Sequence, residues 1–158
     1  AQSNNIFDAA RNNDIETLKE LVKNGTDVNT ADSRGFTPLI LACYNGNFEA
    51  VEFLIKNKAD VNQKDKTGRN ALMSASFRGN LKIIEILVKT GANVNDKDIV
   101  GATALMFASM VGKTEIVKFL LEQGADAKIA DERGNTALSL AEQQGADEVA
   151  AILKEKLN

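Results

Sequence analysis

The chain has 158 residues, 44% of them hydrophobic and 26% charged, the balance of an ordinary globular domain. Its net charge of −3 argues against nucleic acid as a main partner, which usually needs a basic face. No apolar run approaches the ~18–20 residues that span a bilayer, which argues against membrane insertion. There is no His, so neither a His-activated nucleophile nor a His-ligated metal can be built, and Cys43, the single cysteine, has no internal disulfide partner.

The chain opens Ala1-Gln2-Ser3 without Met, which reads either as the edge of an excised piece or as the start left by a signal peptidase. Residues 1–31 then hold a truncated unit: polar Gln2, Ser3, Asn4 and Asn5, the stretch Ile6-Phe7-Asp8-Ala9-Ala10, and an apolar-periodic segment from Ile15 to Val22. At Asp32 a phrase begins that is written four times, 33 residues apart. It reads Asp32-x-x-Gly35-x-Thr37-Pro38-Leu39-x-x-Ala42, and returns from Asp65 with Gly68, Asn70, Ala71, Leu72 and Ala75. It returns again from Asp98 with Gly101, Thr103, Ala104, Leu105 and Ala108, and from Asp131 with Gly134, Thr136, Ala137, Leu138 and Ala141. A second glycine keeps the same step at Gly46, Gly79, Gly112 and Gly145, and a third series runs Gly25, Lys58, Gly91, Gly124. Such a period marks a stack of supersecondary units, each too small to bury its own apolar face. The expected organisation is one all-α repeat solenoid over 1–158, with an N-terminal cap at 1–31, internal repeats at 32–64, 65–97 and 98–130, and a C-terminal cap at 131–158.

One unit can be read from its residues. Asp at the first position and Gly at the fourth suit a β-turn whose last residue takes positive φ. Thr103 or Thr136 then caps a helix, with Ala or Pro38 in its first turn, where a missing N–H is harmless. That helix stops at the second glycine, a left-handed C-cap. A second helix follows; in 65–97 its buried stripe is expected to be Leu81, Ile84, Leu87 and Val88. Lys82, Glu85 and Lys89 lie opposite, with Glu85 and Lys89 spaced for an i,i+4 pair. The last helix ends at Leu153 and Leu157 among Lys154, Glu155 and Lys156, so both ends read as the polar caps of one complete domain.

These phrases resemble the ankyrin repeat over nearly the whole chain. Thr37-Pro38-Leu39 with Ala42 is similar to the family's Thr-Pro-Leu-His-x-Ala signature, and Gly91-Ala92-Asn93-Val94-Asn95 to its exit from the second helix. The His of that signature is replaced by Ile40, Met73, Met106 and Ser139, which removes a polar link at each hairpin base and leaves the apolar layer. The resemblance implies helix-turn-helix units joined by β-turn loops, a concave surface made of turn tips and first helices, and binding of another protein without cofactor or catalysis. It also places Asn29, Asn62 and Asn95 where animal ankyrin proteins can be hydroxylated; as residues they read more simply as turn formers bonded to the backbone. The start is similar to that of mature exported bacterial ankyrin proteins, so cytoplasm and periplasm both remain open.

Motif-like fragments elsewhere fail on inspection. Gly112-Lys113-Thr114 imitates the end of a phosphate-binding loop, but Phe107 stands where its first Gly belongs and a helix precedes it. Asp96-x-Asp98 with Gly101 imitates a calcium loop, but Val100 and Phe107 occupy positions that need oxygen ligands. Cys43 reads as a packed thiol.

The exposed positions implied by the resemblance carry an apolar set: Phe36, Tyr44, Phe77, Ile99, Val100, Met110 and Val111. An apolar patch of several hundred Å² usually marks an interface, and aromatic anchors commonly dominate binding. The first half of that surface is basic, with Arg11, Arg34, Lys64, Lys66, Arg69 and Arg78, which favours a partner with an acidic surface beside an apolar patch. The expectation is a module, monomeric on its own, that holds a folded protein with Phe77 and Met110 as anchors and Arg34, Arg69 and Arg78 as charge matches. A regulatory or protective subunit of a partner enzyme, inhibitor or chaperone-like, would use the same face, and phosphate or small-molecule binding at the basic tips is a third reading. The alternative to any interface is that these side chains lie flat on their neighbours and thicken the core.

Overall fold

A computed structural model describes residues 4–158; the Ala1-Gln2-Ser3 start, with the processing expected of it, lies outside the described residues. Among the described residues there are ten helices and no strand, arranged as five consecutive pairs. The first helices are α1 (Ile6–Arg11), α3 (Pro38–Tyr44), α5 (Ala71–Arg78), α7 (Ala104–Met110) and α9 (Ala137–Gln143). The second helices are α2 (Ile15–Lys23), α4 (Phe48–Lys56), α6 (Leu81–Lys89), α8 (Thr114–Glu122) and α10 (Asp147–Leu157).

Every first helix begins on a side-chain cap. Asn5, Thr37, Asn70, Thr103 and Thr136 each accept a hydrogen bond from the N–H three residues on, worth about 1 kcal/mol against alanine. The turn before the cap is closed by its aspartate: Asp98 Oδ1 accepts from the N–H groups of Val100 (3.0 Å) and Ala102 (2.9 Å). Asp32, Asp65 and Asp131 do the same in their own turns. The turn-former reading of these aspartates therefore holds. Successive tips are tied by backbone bonds from Lys66 N–H to Arg34 C=O (3.1 Å), Ile99 to Thr67 (3.0 Å) and Glu132 to Val100 (2.9 Å). The chains run so close there that a Cβ on Gly68 would sit 2.8 Å from the Ile99 nitrogen.

Packing differs between the two helix layers. The first helices meet through Ala9, Ala42, Ala75, Ala108 and Ala141, all fully buried, flanked by Ala10, Cys43, Ser76 and Ser109. Small side chains let these helices pack more closely than the second helices, which meet through Leu18, Leu54, Ile84, Leu87, Leu120 and Leu153. The unequal spacing curves the stack and makes the side of tips and first helices concave. Helices of seven to eleven residues, such as α3 and α10, are marginal alone, so this mutual burial is what keeps them folded.

Three details differ from the sequence expectation. In α6 the buried residues are Ile83, Ile84 and Leu87, while Leu81 and Val88 are half-buried: flanked by α4, α8 and its own α5, the helix buries a wider arc than one stripe. The Glu85–Lys89 pair does not close among the ion pairs of the described residues. Asn29, Asn62 and Asn95 are turn residues bonded to the backbone, as read, with the difference that those backbone groups belong to the next unit. Asn62 Nδ2 donates to Gly91 C=O (3.0 Å) while its Oδ1 accepts from Asn93 N–H (2.8 Å), and Asn29 and Asn95 repeat the pattern one unit either side.

At the position of the missing His, Ile40, Met73 and Met106 are buried as an apolar layer. Ser139 restores a polar link: Thr136 N–H donates to Ser139 Oγ (2.8 Å) and Ser139 N–H to Thr136 Oγ1 (3.2 Å).

Candidate functional site

Local structure positions the candidate residues in three groups on the concave side. Arg34 and Phe36 flank Gly35 at the first tip, with the Arg34 guanidinium carbon 5.5 Å from the Phe36 ring centre. Tyr44 closes α3 and is 47% exposed. Arg78, the last residue of α5, reaches back over it at 5.1 Å and so bridges two units.

The third group centres on a residue that sequence reading missed. Phe77, 41% exposed at the end of α5, makes a T-shaped contact with Phe107 on α7 at 6.4 Å and 89°. Arg69, on the second tip, lies 5.1 Å over the other partner of that pair, Phe107, and its Nε is 3.4 Å from Asp98 Oδ2. The Asp98 side chain is almost wholly buried, whereas Arg69 is half exposed. Phe107 shares its register with Leu41, Ser74 and Leu140, so it reads as ordinary helix core; its being the one aromatic there was the available signal. Ile99 and Val100 project from the third tip at 64% and 46% exposure. Phe36, Met110 and Val111 are half-buried, and Phe36 and Met110 pack on the core.

The charges divide into met and unmet. Arg11 is paired with Asp8 (3.0 Å) and lies near Asp32 (3.9 Å), and Arg69 with Asp98. Lys64 donates to Lys97 C=O (3.0 Å). Arg34, Lys66 and Arg78 enter no ion pair among the described residues.

The last unit supplies a contrast at the same registers. Lys66, Arg69, Phe77 and Arg78 correspond to Glu132, Asn135, Gln143 and Gln144. There the polar groups satisfy one another: Asn135 Nδ2 donates to Asp131 Oδ2 and Gln143 Nε2 to Asn135 Oδ1, both at 3.2 Å. At Asp131 desolvation pushes the carboxyl pKa up, but hydrogen bonds from Asn135 and Arg133, with the Arg133 charge, outweigh it and hold the pKa below its usual value.

A family model described as ankyrin repeats (3 copies) matches residues 6–98 and, in a second match, 93–158. The chain belongs to the ankyrin repeat family. Comparison with curated proteins gives no match. Ankyrin repeats are in general protein–protein interaction modules and typically non-catalytic.

The rest of the ankyrin stack adds few competing sites. Cys43 is fully buried and its thiol pKa is pushed far up by desolvation, which leaves it neutral and unreactive. Gly112, at φ 68°, follows Val111, the C-cap of α7, so the Gly112-Lys113-Thr114 fragment sits after a helix. Among the described residues no group of three or more His, Cys, Asp and Glu is placed to hold a metal, and no helix is long and apolar enough to cross a membrane. On the side of the second helices an open groove of about 490 Å³ runs between α2, α4 and α6, lined by Ile15, Phe53, Ile55 and Ile86 and by Glu49, Glu52 and Lys56.

Proposed function

We propose that this ankyrin stack is a non-catalytic recognition module, monomeric on its own, that holds a folded protein partner across its middle repeats on the concave side. In this reading residues 32–64, 65–97 and 98–130 are the internal repeats, and 1–31 and 131–158 are the caps. One observation carries it: at registers that recur in every unit, the middle units present Tyr44, Phe77, Arg69, Arg78, Ile99 and Val100 while the last unit is polar. Phe77 and Met110 serve as apolar anchors, Phe36 and Val111 widen the patch, and the basic tips turn toward an acidic region of the partner. An interface of standard size, about 1,200–2,000 Å² in total, fits across those units.

The test is affinity capture from the source organism's fractions with wild type and with Phe77→Asp/Met110→Asp, the latter first shown folded by circular dichroism. A protein held by wild type should be lost by the variant, with a binding penalty of about 2 kcal/mol or more, roughly thirtyfold in Kd. Equal retention of that protein by both baits would remove the concave face from the account.

A further inference from the structure

Two of the unmet cations of the concave side are seated on aromatic rings. Arg34 lies 5.5 Å over Phe36 and Arg78 lies 5.1 Å over Tyr44, and neither enters an ion pair among the described residues. Arg69 is also seated on an aromatic ring, but Asp98 already meets its charge at 3.4 Å. The three arginines therefore have different standing although the sequence presents them alike. An aromatic ring under a guanidinium limits its rotamers and leaves its in-plane N–H edge available. That edge is a fork that matches a carboxylate bidentately. Holding the fork in place beforehand lowers the ordering entropy lost on binding.

Resting on the interface reading above, we infer that Arg34–Phe36 and Arg78–Tyr44 form two carboxylate seats, and that the bound region of the partner is an acidic segment with an apolar residue for Phe77. Arg69 is a positioning residue: pinned by Asp98, it braces Phe107, with which Phe77 makes its T-shaped contact. Lys66, without a carboxylate of its own, adds to the field that draws the acidic segment in, although the whole chain carries −3.

The experiment is selection of random 16-residue peptides displayed on phage against the full chain, followed by synthesis of the leading peptide and of its copy with every Glu and Asp changed to Gln and Asn. Binding of both is read by fluorescence anisotropy against wild type, Arg34→Ser/Arg78→Ser and Phe77→Asp/Met110→Asp, each checked by its thermal melt. The expected selection carries two or more carboxylates around an apolar residue. Wild type should lose about tenfold or more in Kd on the amide copy, as a lost charge-assisted pair requires. The arginine variant should bind both peptides equally and weakly, the coupling that a direct contact demands. Selected peptides without acidic residues, no selected peptide, or an unchanged preference for the acidic copy on the arginine variant would each overturn the two seats. If binding then still falls on Phe77→Asp/Met110→Asp, the concave interface stands without them; indifference to both variants removes both.

Discussion

The units that begin at Asp65 and Asp131 share a backbone and differ in nearly everything their inner surface offers. Both have the aspartate-closed turn, the capped first helix and a positive-φ glycine at the tip. The first presents Lys66, Arg69, Phe77 and Arg78, and the second Glu132, Asn135, Gln143 and Gln144. Stacking therefore does not dictate those side chains. Where the surface faces water alone, polar groups bond to one another, as Asn135 does with Asp131 and Gln143. Where the stack continues, the half-exposed ring of Phe77 and the ring-seated guanidinium of Arg78 stand in their place. The same pair of units also separates local backbone demand from the demand of a neighbour, because only the glycine of the middle tip is faced by another tip.

That separation can be measured at the tip glycines. Gly68 and Gly134 have φ of 79° and 83°, but a Cβ at Gly68 would strike the Ile99 backbone while one at Gly134 meets nothing within 4 Å. Gly134→Ala should lose only the left-handed term, about 1–2 kcal/mol of unfolding free energy. Gly68→Ala should lose about 1–3 kcal/mol more, from forced displacement of the neighbouring tip. Equal urea midpoints for the two variants would break the comparison.

A smaller effect of opposite sign is expected at Lys58, which takes φ 70° at the register held elsewhere by Gly25, Gly91 and Gly124. Lys58→Gly should relieve left-handed strain and raise stability by about 1 kcal/mol, read from the same urea curves. No gain would mean that Lys58 contacts outweigh its strain. The smallest change concerns the inner ladder. Ser76 is fully buried with its Oγ unpartnered, while Ser109 donates to Leu105 C=O at 2.7 Å. At that register the last unit carries the exposed Glu142. Ser76→Ala should stabilise by up to about 1 kcal/mol and Ser109→Ala should destabilise by a similar amount. Matching signs for both would show that the hydroxyl environments do not differ.

The fold was legible because a repeat is written in local rules. Turn aspartates, N-caps and glycines act within a few residues, so Asp98, Thr103 and Gly112 declare their roles in sequence. Contacts between units are less legible. Asn62 is a turn residue as read, but its partners, Gly91 and Asn93, lie in the next unit. Ile83 drops out of a single-stripe reading because α6 is packed from several sides. At the site, the exposure of Tyr44, Phe77, Ile99 and Val100 matches their register, whereas Met110, at the register of Tyr44 and Phe77, is half-buried because it packs on the core. The pinning of Arg69 by Asp98, the seating of Arg78 on Tyr44 and the support from Phe107 depend on how one unit lies on another.

The central claim is that Phe77 is present for a partner and not for the stack. The direct measurement is the urea unfolding free energy of wild type and of Phe77→Gln, which installs the residue that α9 carries at that register. The account predicts a loss of about 1–2 kcal/mol, one edge-to-face aromatic contact together with the partial burial of the ring. A loss of about 3–5 kcal/mol, as for a phenylalanine removed from a packed core, would contradict it and return Phe77 to the core.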